Sequence, residues 1–224
     1  LIWRLLLLIG IAAAMVAGFV WAPLVPVLEA TTRVFYFHFP AALVTVIALG
    51  WSMLHSILYL ARRDLRNDDH AAAAAELGII FCVLATISGS MWAKAMWGSY
   101  WNWDPRETSI FFLLLIYGAY LALRASIDSI ERRARLSAVY SAAAFVAVPF
   151  LIFVVPRIYF SLHPDPLFNS RGKPDMDGRI MAVATAMFVG FTALFFWMLS
   201  LRVRLSRAER GRSDTETVGG HEPR

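Results

Sequence analysis

One cysteine stands among the 224 residues, Cys82, and it lies inside an apolar run. That excludes an internal disulfide and any zinc site built on two thiolates, and leaves Cys82 as a packing residue. There is no C-x-x-C-H, so the chain is not itself a c-type cytochrome. There is no G-x-x-x-x-G-K-[ST] either, so it carries no P-loop of its own. Charge is scarce: Asp, Glu, Lys and Arg make up 17% of the chain. The net charge of +5 suggests nucleic acid at first sight. The basic residues sit in short loops between apolar runs, however, which points to membrane topology and not to a nucleic-acid partner.

What is abundant is apolar surface. Hydrophobic residues make up 59% of the chain and the mean hydropathy is +0.60, against about 45–50% apolar in a soluble domain. About 20 helical residues cross a bilayer, and six runs reach that length: roughly 3–22, 34–60, 71–93, 105–123, 136–155 and 180–201. The fold class expected is therefore all-α, a polytopic membrane protein of six transmembrane helices spanning 1–201. A polar, charged tail, 202–224, is expected to be disordered. The first run lacks a small-residue cleavage site followed by a soluble domain and reads as a retained helix. Pro40 is expected to mark where the second helix begins, leaving His38 at or just outside its start. The fourth helix has an explicit start signal: Asp104 as N-cap, Pro105 in the first position and Glu107 three residues after the cap. The loop 156–179 contains Pro156, Pro164, Pro166 and Pro174 and is expected to be irregular.

Six spans place both termini on one side. That side collects 14 Lys and Arg residues against 7 on the other, so both termini are expected in the cytoplasm. The loops 23–33, 94–108 and 156–179, with His38 and His163, then lie outside.

The densest stretch of chemistry is Trp97-Gly-Ser-Tyr-Trp-Asn-Trp-Asp-Pro-Arg-Glu-Thr108. Between apolar segments, so polar an interruption belongs at a water-facing surface. The rings of Trp97, Tyr100, Trp101 and Trp103 offer flat faces to another planar ring system, and haem is such a system. The alternative is an aromatic belt at headgroup level, with Asp104 and Glu107 acting only as caps. His38, in Arg33-Val-Phe-Tyr-Phe-His-Phe-Pro40, and His163, in the loop before the sixth helix, are candidate axial ligands, because neutral imidazole binds haem iron. The alternative for each is a hydrogen-bonded interfacial histidine. Arg33, Lys94, Arg106 and Arg157 are candidates for haem propionates, Arg matching carboxylate geometry, or for lipid headgroups. His55 and Glu76 are ionisable residues within spans, placed close enough to the inner surface to reach it.

The stretch Trp97-Gly-Ser-Tyr-Trp-Asn-Trp-Asp104 resembles the tryptophan-rich WWD signature of haem-handling proteins in cytochrome c maturation. Six spans, the signature between the third and fourth, a histidine before proline at the start of the second and a histidine in the loop before the sixth are together similar to the CcmC family, haem exporter protein C. The resemblance covers roughly residues 1–200. It implies His38 and His163 as axial ligands of haem b, with Trp97, Trp101, Trp103 and Asp104 holding the exposed haem edge. It implies a multi-pass protein of the bacterial inner membrane that binds haem on the outer face and delivers it to a chaperone of the CcmE type. CcmA, CcmB and a small CcmD-like subunit would be further partners. No bond-making chemistry is implied, so the chain is expected not to be an enzyme. The ending Asp104-Pro-Arg-Glu-Thr108 is similar to the related CcsA type, which keeps a CcsA-like haem transporter or synthetase component open as an alternative. A b-type electron-transfer subunit is another, although such proteins bury both ligands within spans. A transporter would show charges near the midplane, and none is clear.

Overall fold

A computed structural model describes residues 2–25, 28–163 and 176–219, with side chains described to 211. All regular structure in these residues is helical. Six helices are long and apolar enough to cross a membrane: α1 (Ile2–Val20), α2 (Thr32–Arg62), α3 (Leu65–Trp97), α4 (Pro105–Ala125), a broken α5 (Ile130–Ile158) and α6 (Gly178–Gly219). This is the multi-pass architecture that the six apolar runs imply.

The pair α2–α3 forms the centre. A tight corner joins the two: Arg63 takes a left-handed φ of 56° and its amide bonds to the Tyr59 carbonyl at 2.8 Å, while Asp64 caps α3 by accepting from the Arg66 amide at 2.9 Å. Small residues let the two helices approach. A Cβ on Gly78 would lie 2.7 Å from a methyl of Leu49 and 3.2 Å from the Ala48 Cβ. One core, including Tyr36, Val44, Phe81, Met187 and Phe195, joins α2 and α3 to α6, with α1 laid against it. A second, including Leu49, Leu113, Tyr117, Tyr120 and Val148, joins them to α4 and α5, and Cys82 packs within it.

Three expectations change. Pro40 lies inside α2, eight residues beyond its start. A proline there removes one amide donor, and its fixed φ suits a helix, so His38 sits within the helix and not before it. The fifth span is not regular: proline has no N–H, so Pro149 cannot bond to the Phe145 carbonyl, which instead accepts from Val148 at 3.0 Å, and a wide π-turn follows at Phe150–Val154. Pro156 falls in its last helical turn, whereas Pro164, Pro166 and Pro174 lie outside the described residues. Finally, α6 does not stop at Leu201 but continues as helix to Gly219. Polar contacts to α3 hold its extension: Arg202 meets Glu76 at 2.7 Å, Arg207 meets Asp69 at 3.5 Å, and Arg210 also pairs with Asp69. Nearby, Arg124 makes a two-pronged pair with Asp68 at 2.7 and 3.0 Å.

Candidate haem-facing site

At the opposite end of the bundle, the start of α2, the end of α3, the start of α4 and the end of α5 meet. Two local signals shape the connecting loop. Gly98 ends α3 in the left-handed conformation (φ 79°), its amide bonding to the Lys94 carbonyl at 3.1 Å. Asp104 and Glu107 then close a reciprocal capping box at the start of α4. The Glu107 Oε2 accepts from the amides of Asn102 at 2.7 Å and Asp104 at 3.3 Å. The Ser90 hydroxyl holds the Tyr100 carbonyl at 2.6 Å. Between these anchors Trp103 is forced to a φ of 56°, a conformation that costs a residue with a Cβ about 1 kcal/mol or more. Trp103 is 69% exposed and Tyr100 59%. An exposed indole on a strained backbone is not explained by packing.

The aromatic rings form two groups. Trp101 and Trp103 meet edge to face at 5.8 Å and both lean on Phe111. Trp97 instead meets the His163 ring edge to face, 5.0 Å between centroids.

Asp104 does more than cap. Its carboxylate is buried and accepts from the amides of Arg106 at 2.9 Å and Leu162 at 2.7 Å and from the Ser161 hydroxyl at 2.9 Å. It also faces His163 Nδ1 at 3.0 Å. Burial alone would raise its pKa, but the two amide donors, His163 and Ser161 together hold it below the ordinary carboxylate value. Burial, followed by the opposing pull of Asp104 and the push of Arg106, leaves His163 below the ordinary histidine value of 6.5, so the ring is neutral at pH 7. A carboxylate can only accept here, which places the His163 proton on Nδ1 and a lone pair on Nε2.

His38 is oriented the same way from the other wall. Its Nδ1 lies 3.0 Å from the Ala85 carbonyl and 3.2 Å from the Ser88 hydroxyl. Since a carbonyl only accepts, Nδ1 again carries the proton and Nε2 the lone pair. The ring fits because position 89 is glycine: a Cβ there would sit 2.7 Å from His38 Cε1. Trp92 lies edge-on to the imidazole at 5.8 Å and donates to Thr31 Oγ at 3.1 Å, tying the approach to α2 onto α3. His163 and Arg106 lie close enough to His38 to act on it electrostatically, so the structure brings both histidines and Arg106 into one site.

The other cations are engaged elsewhere. Arg33 donates to the carbonyls of Gly18 and of Ala22, at 3.0 Å for the latter, and so finishes α1. Lys94 donates to the Gly98 carbonyl at 2.8 Å and lies over the Tyr100 ring. Arg157 donates to the Phe153 carbonyl. His55 and Glu76 lie at the far end, His55 bonded to Asn67 Oδ1 at 3.0 Å and stacked on His70, Glu76 held by Arg202. Sequence reading misses Gly89, Ser88, Trp92 and Ser161. The available signals were a glycine inside an apolar helix, where it costs about 1 kcal/mol against alanine, and the shared helix face of positions 85, 88, 89 and 92.

Comparison with known proteins fits this arrangement. The sequence model of the family described as "CcmC: Heme exporter protein C" matches residues 1–218. Heme exporter protein C of Paracoccus denitrificans is 30% identical over 198 residues, covering 87% of this chain and 82% of that protein. The protein of the same name from Bradyrhizobium diazoefficiens is 32% identical over 166 residues, 74% of this chain, and there the match spans 63% of the relative, just under two thirds of its length. The cytochrome c biogenesis protein CcsA of Panax ginseng is 37% identical over 87 residues, but these are 39% of this chain and 26% of that protein. The long matches run to one family and the CcsA match is short, and we conclude that the chain belongs to the CcmC family, that of heme exporter protein C.

Proposed function

We propose that this protein binds haem between His38 and His163 and hands it on during maturation of c-type cytochromes. The observation that carries the reading is the matched orientation of the two imidazoles. Each has Nδ1 turned to a fixed acceptor, Ala85 O or Asp104, which leaves each Nε2 to an iron atom. Haem is cargo here, and the chain's residues bind, orient and shield it. Trp97 backs His163, while the exposed Trp103 and Tyr100 offer faces to the open edge of the macrocycle. Arg106, which acts electrostatically on both histidines, is the cation that would pair with a propionate. A loop-built, partly exposed site suits release as well as capture.

On this reading the cargo is haem b and the receiver a chaperone of the CcmE type. CcmA, CcmB and a CcmD-like subunit act beside the chain in a bacterial inner membrane, with both termini in the cytoplasm. No covalent bond of the haem is made or broken by the chain itself on this reading, so it is not an enzyme. The test is an optical spectrum of the detergent-purified protein, wild type beside His38→Ala and His163→Ala. A low-spin spectrum from two axial histidines in the wild type, lost or altered in each variant, is expected. Unchanged binding in both variants refutes the ligand assignment. Incubation with the apo chaperone then tests transfer: haem that never leaves would favour the electron-transfer alternative.

A further inference from the structure

At the end of the bundle remote from the haem-facing site, a cavity of about 670 Å³ opens where α2 ends and where α3 and α5 begin. Arg63, Arg132 and Arg135 line it, Tyr59 and Leu65 supply apolar wall, and Glu131 is the one carboxylate among its lining residues. Four arginines at this end have carboxylate partners. Arg124 has Asp68, Arg202 has Glu76, and Arg207 and Arg210 share Asp69. Arg63, Arg132 and Arg135 make no ion pair among the described residues, yet all three converge on one space. Three cations against one carboxylate leave a net charge that attracts an anion.

The surroundings say which anion. Below the arginines, Tyr59, Ala134 and Ala138 form a small apolar cluster with Leu60 and Leu65. Leu136 and Val139 follow Arg132 by four and seven residues, so they share its helix face, and both are exposed. A cationic recess therefore leads directly onto an apolar track along a membrane-spanning helix. A free phosphate would use only the recess. We propose that this cavity binds an anionic phospholipid of the adjoining leaflet, the arginines gripping its phosphodiester and one acyl chain lying along Leu136 and Val139. A zwitterionic lipid carries its own cation and gains little from the excess positive charge. Bound in this way, the lipid bridges the start of α5 to the α2–α3 corner.

Native mass spectrometry of the full-length chain in mild detergent tests this, with phosphatidylglycerol, phosphatidylcholine of the same acyl chains, and inorganic phosphate as probes. One phosphatidylglycerol is expected to remain bound where phosphatidylcholine is lost. A juxtamembrane arginine contributes about fivefold to such binding. Arg132→Gln is therefore expected to weaken retention about fivefold, and the triple variant Arg63→Gln, Arg132→Gln, Arg135→Gln about a hundredfold. Arg204→Gln, remote from the cavity, should leave it unchanged. Equal retention of both lipids overturns the proposal, as does full retention by the single or the triple variant. Displacement of phosphatidylglycerol by millimolar phosphate makes the cavity a free-anion site and refutes the lipid.

Discussion

Asp104→Asn separates the positioning role of this carboxylate from its structural one. Asparagine keeps the size and the N-cap preference of aspartate, but one acceptor oxygen becomes an NH2 donor. In the native site Oδ1 takes the Arg106 amide at 2.9 Å and faces His163 Nδ1 at 3.0 Å, while Oδ2 takes the Leu162 amide at 2.7 Å. Backbone amides cannot turn away. Whichever way the new amide rotates, its NH2 group meets either the Arg106 or the Leu162 N–H, and that donor loses its partner. The cost is about 1–3 kcal/mol for a buried unsatisfied group. In the first orientation His163 must also move its proton to Nε2 to accept at Nδ1, which removes the lone pair that iron needs. In the second, the 161–163 turn loses its anchor to α4.

Both routes weaken haem binding, by about 10- to 100-fold on the scale of other residues that orient a ligand. Haem titration followed by absorbance, beside thermal melting of the same samples, measures the two effects separately. Ser161→Ala removes one hydroxyl donor to the same carboxylate and a 3.4 Å contact to His163 Nδ1, but leaves the Asp104 acceptor that fixes the His163 tautomer, and should cost less in haem affinity. Asp104→Asn with haem affinity within twofold of wild type and an unchanged low-spin spectrum would refute the positioning role, whatever the melt shows.

Gly89→Ala adds a Cβ 2.7 Å from His38 Cε1, so the ring must shift. Haem binding should fall at least tenfold while helix content, read by circular dichroism, is kept or slightly raised by the better helix former. Trp103→Gly relieves a left-handed backbone worth about 1 kcal/mol and removes an exposed ring. Thermal stability should hold or rise while haem affinity drops, and a fall in both would mean that the indole packs rather than binds. Because the His163 pKa lies below 6.5, the neutral ring predominates above that value. Haem affinity should be flat from pH 7 to 8 and decline only as pH drops below 6.5 through the folded-state pKa of His163. The stability contributions of the lowered His163 and Asp104 pKa values share that sign, present at neutral pH and lost on acidification. Asp68→Ala leaves the Arg124 guanidinium without its two-pronged partner and should destabilise by about 3 kcal/mol in urea titration, with the haem spectrum of the surviving folded protein unchanged.

What the sequence discloses follows from how local each constraint is. The spans are legible because a bilayer demands about 20 apolar residues whatever they pack against, and the start of α4 because capping chemistry lies within four residues. The start of α2 is not, since a proline eight residues into a helix costs one hydrogen bond that neighbouring contacts absorb, and Pro40 looks the same in either role. The continuation of α6 past Leu201 is hidden for another reason: its polar face is held by Glu76 and Asp69, more than a hundred residues earlier. The histidines are legible as residue types, but the groups that aim them are not. The Ala85 carbonyl lies 47 positions from His38, and Asp104 lies 58 from the Leu162 amide. Asp104 is the most instructive case, because its capping pattern explains it completely at short range and so conceals its long-range partner. The same two oxygens fix where α4 begins and where His163 points. The helix start and the ligand loop therefore cannot move independently, and a displacement of α4 at its cap is a displacement of the proposed iron ligand.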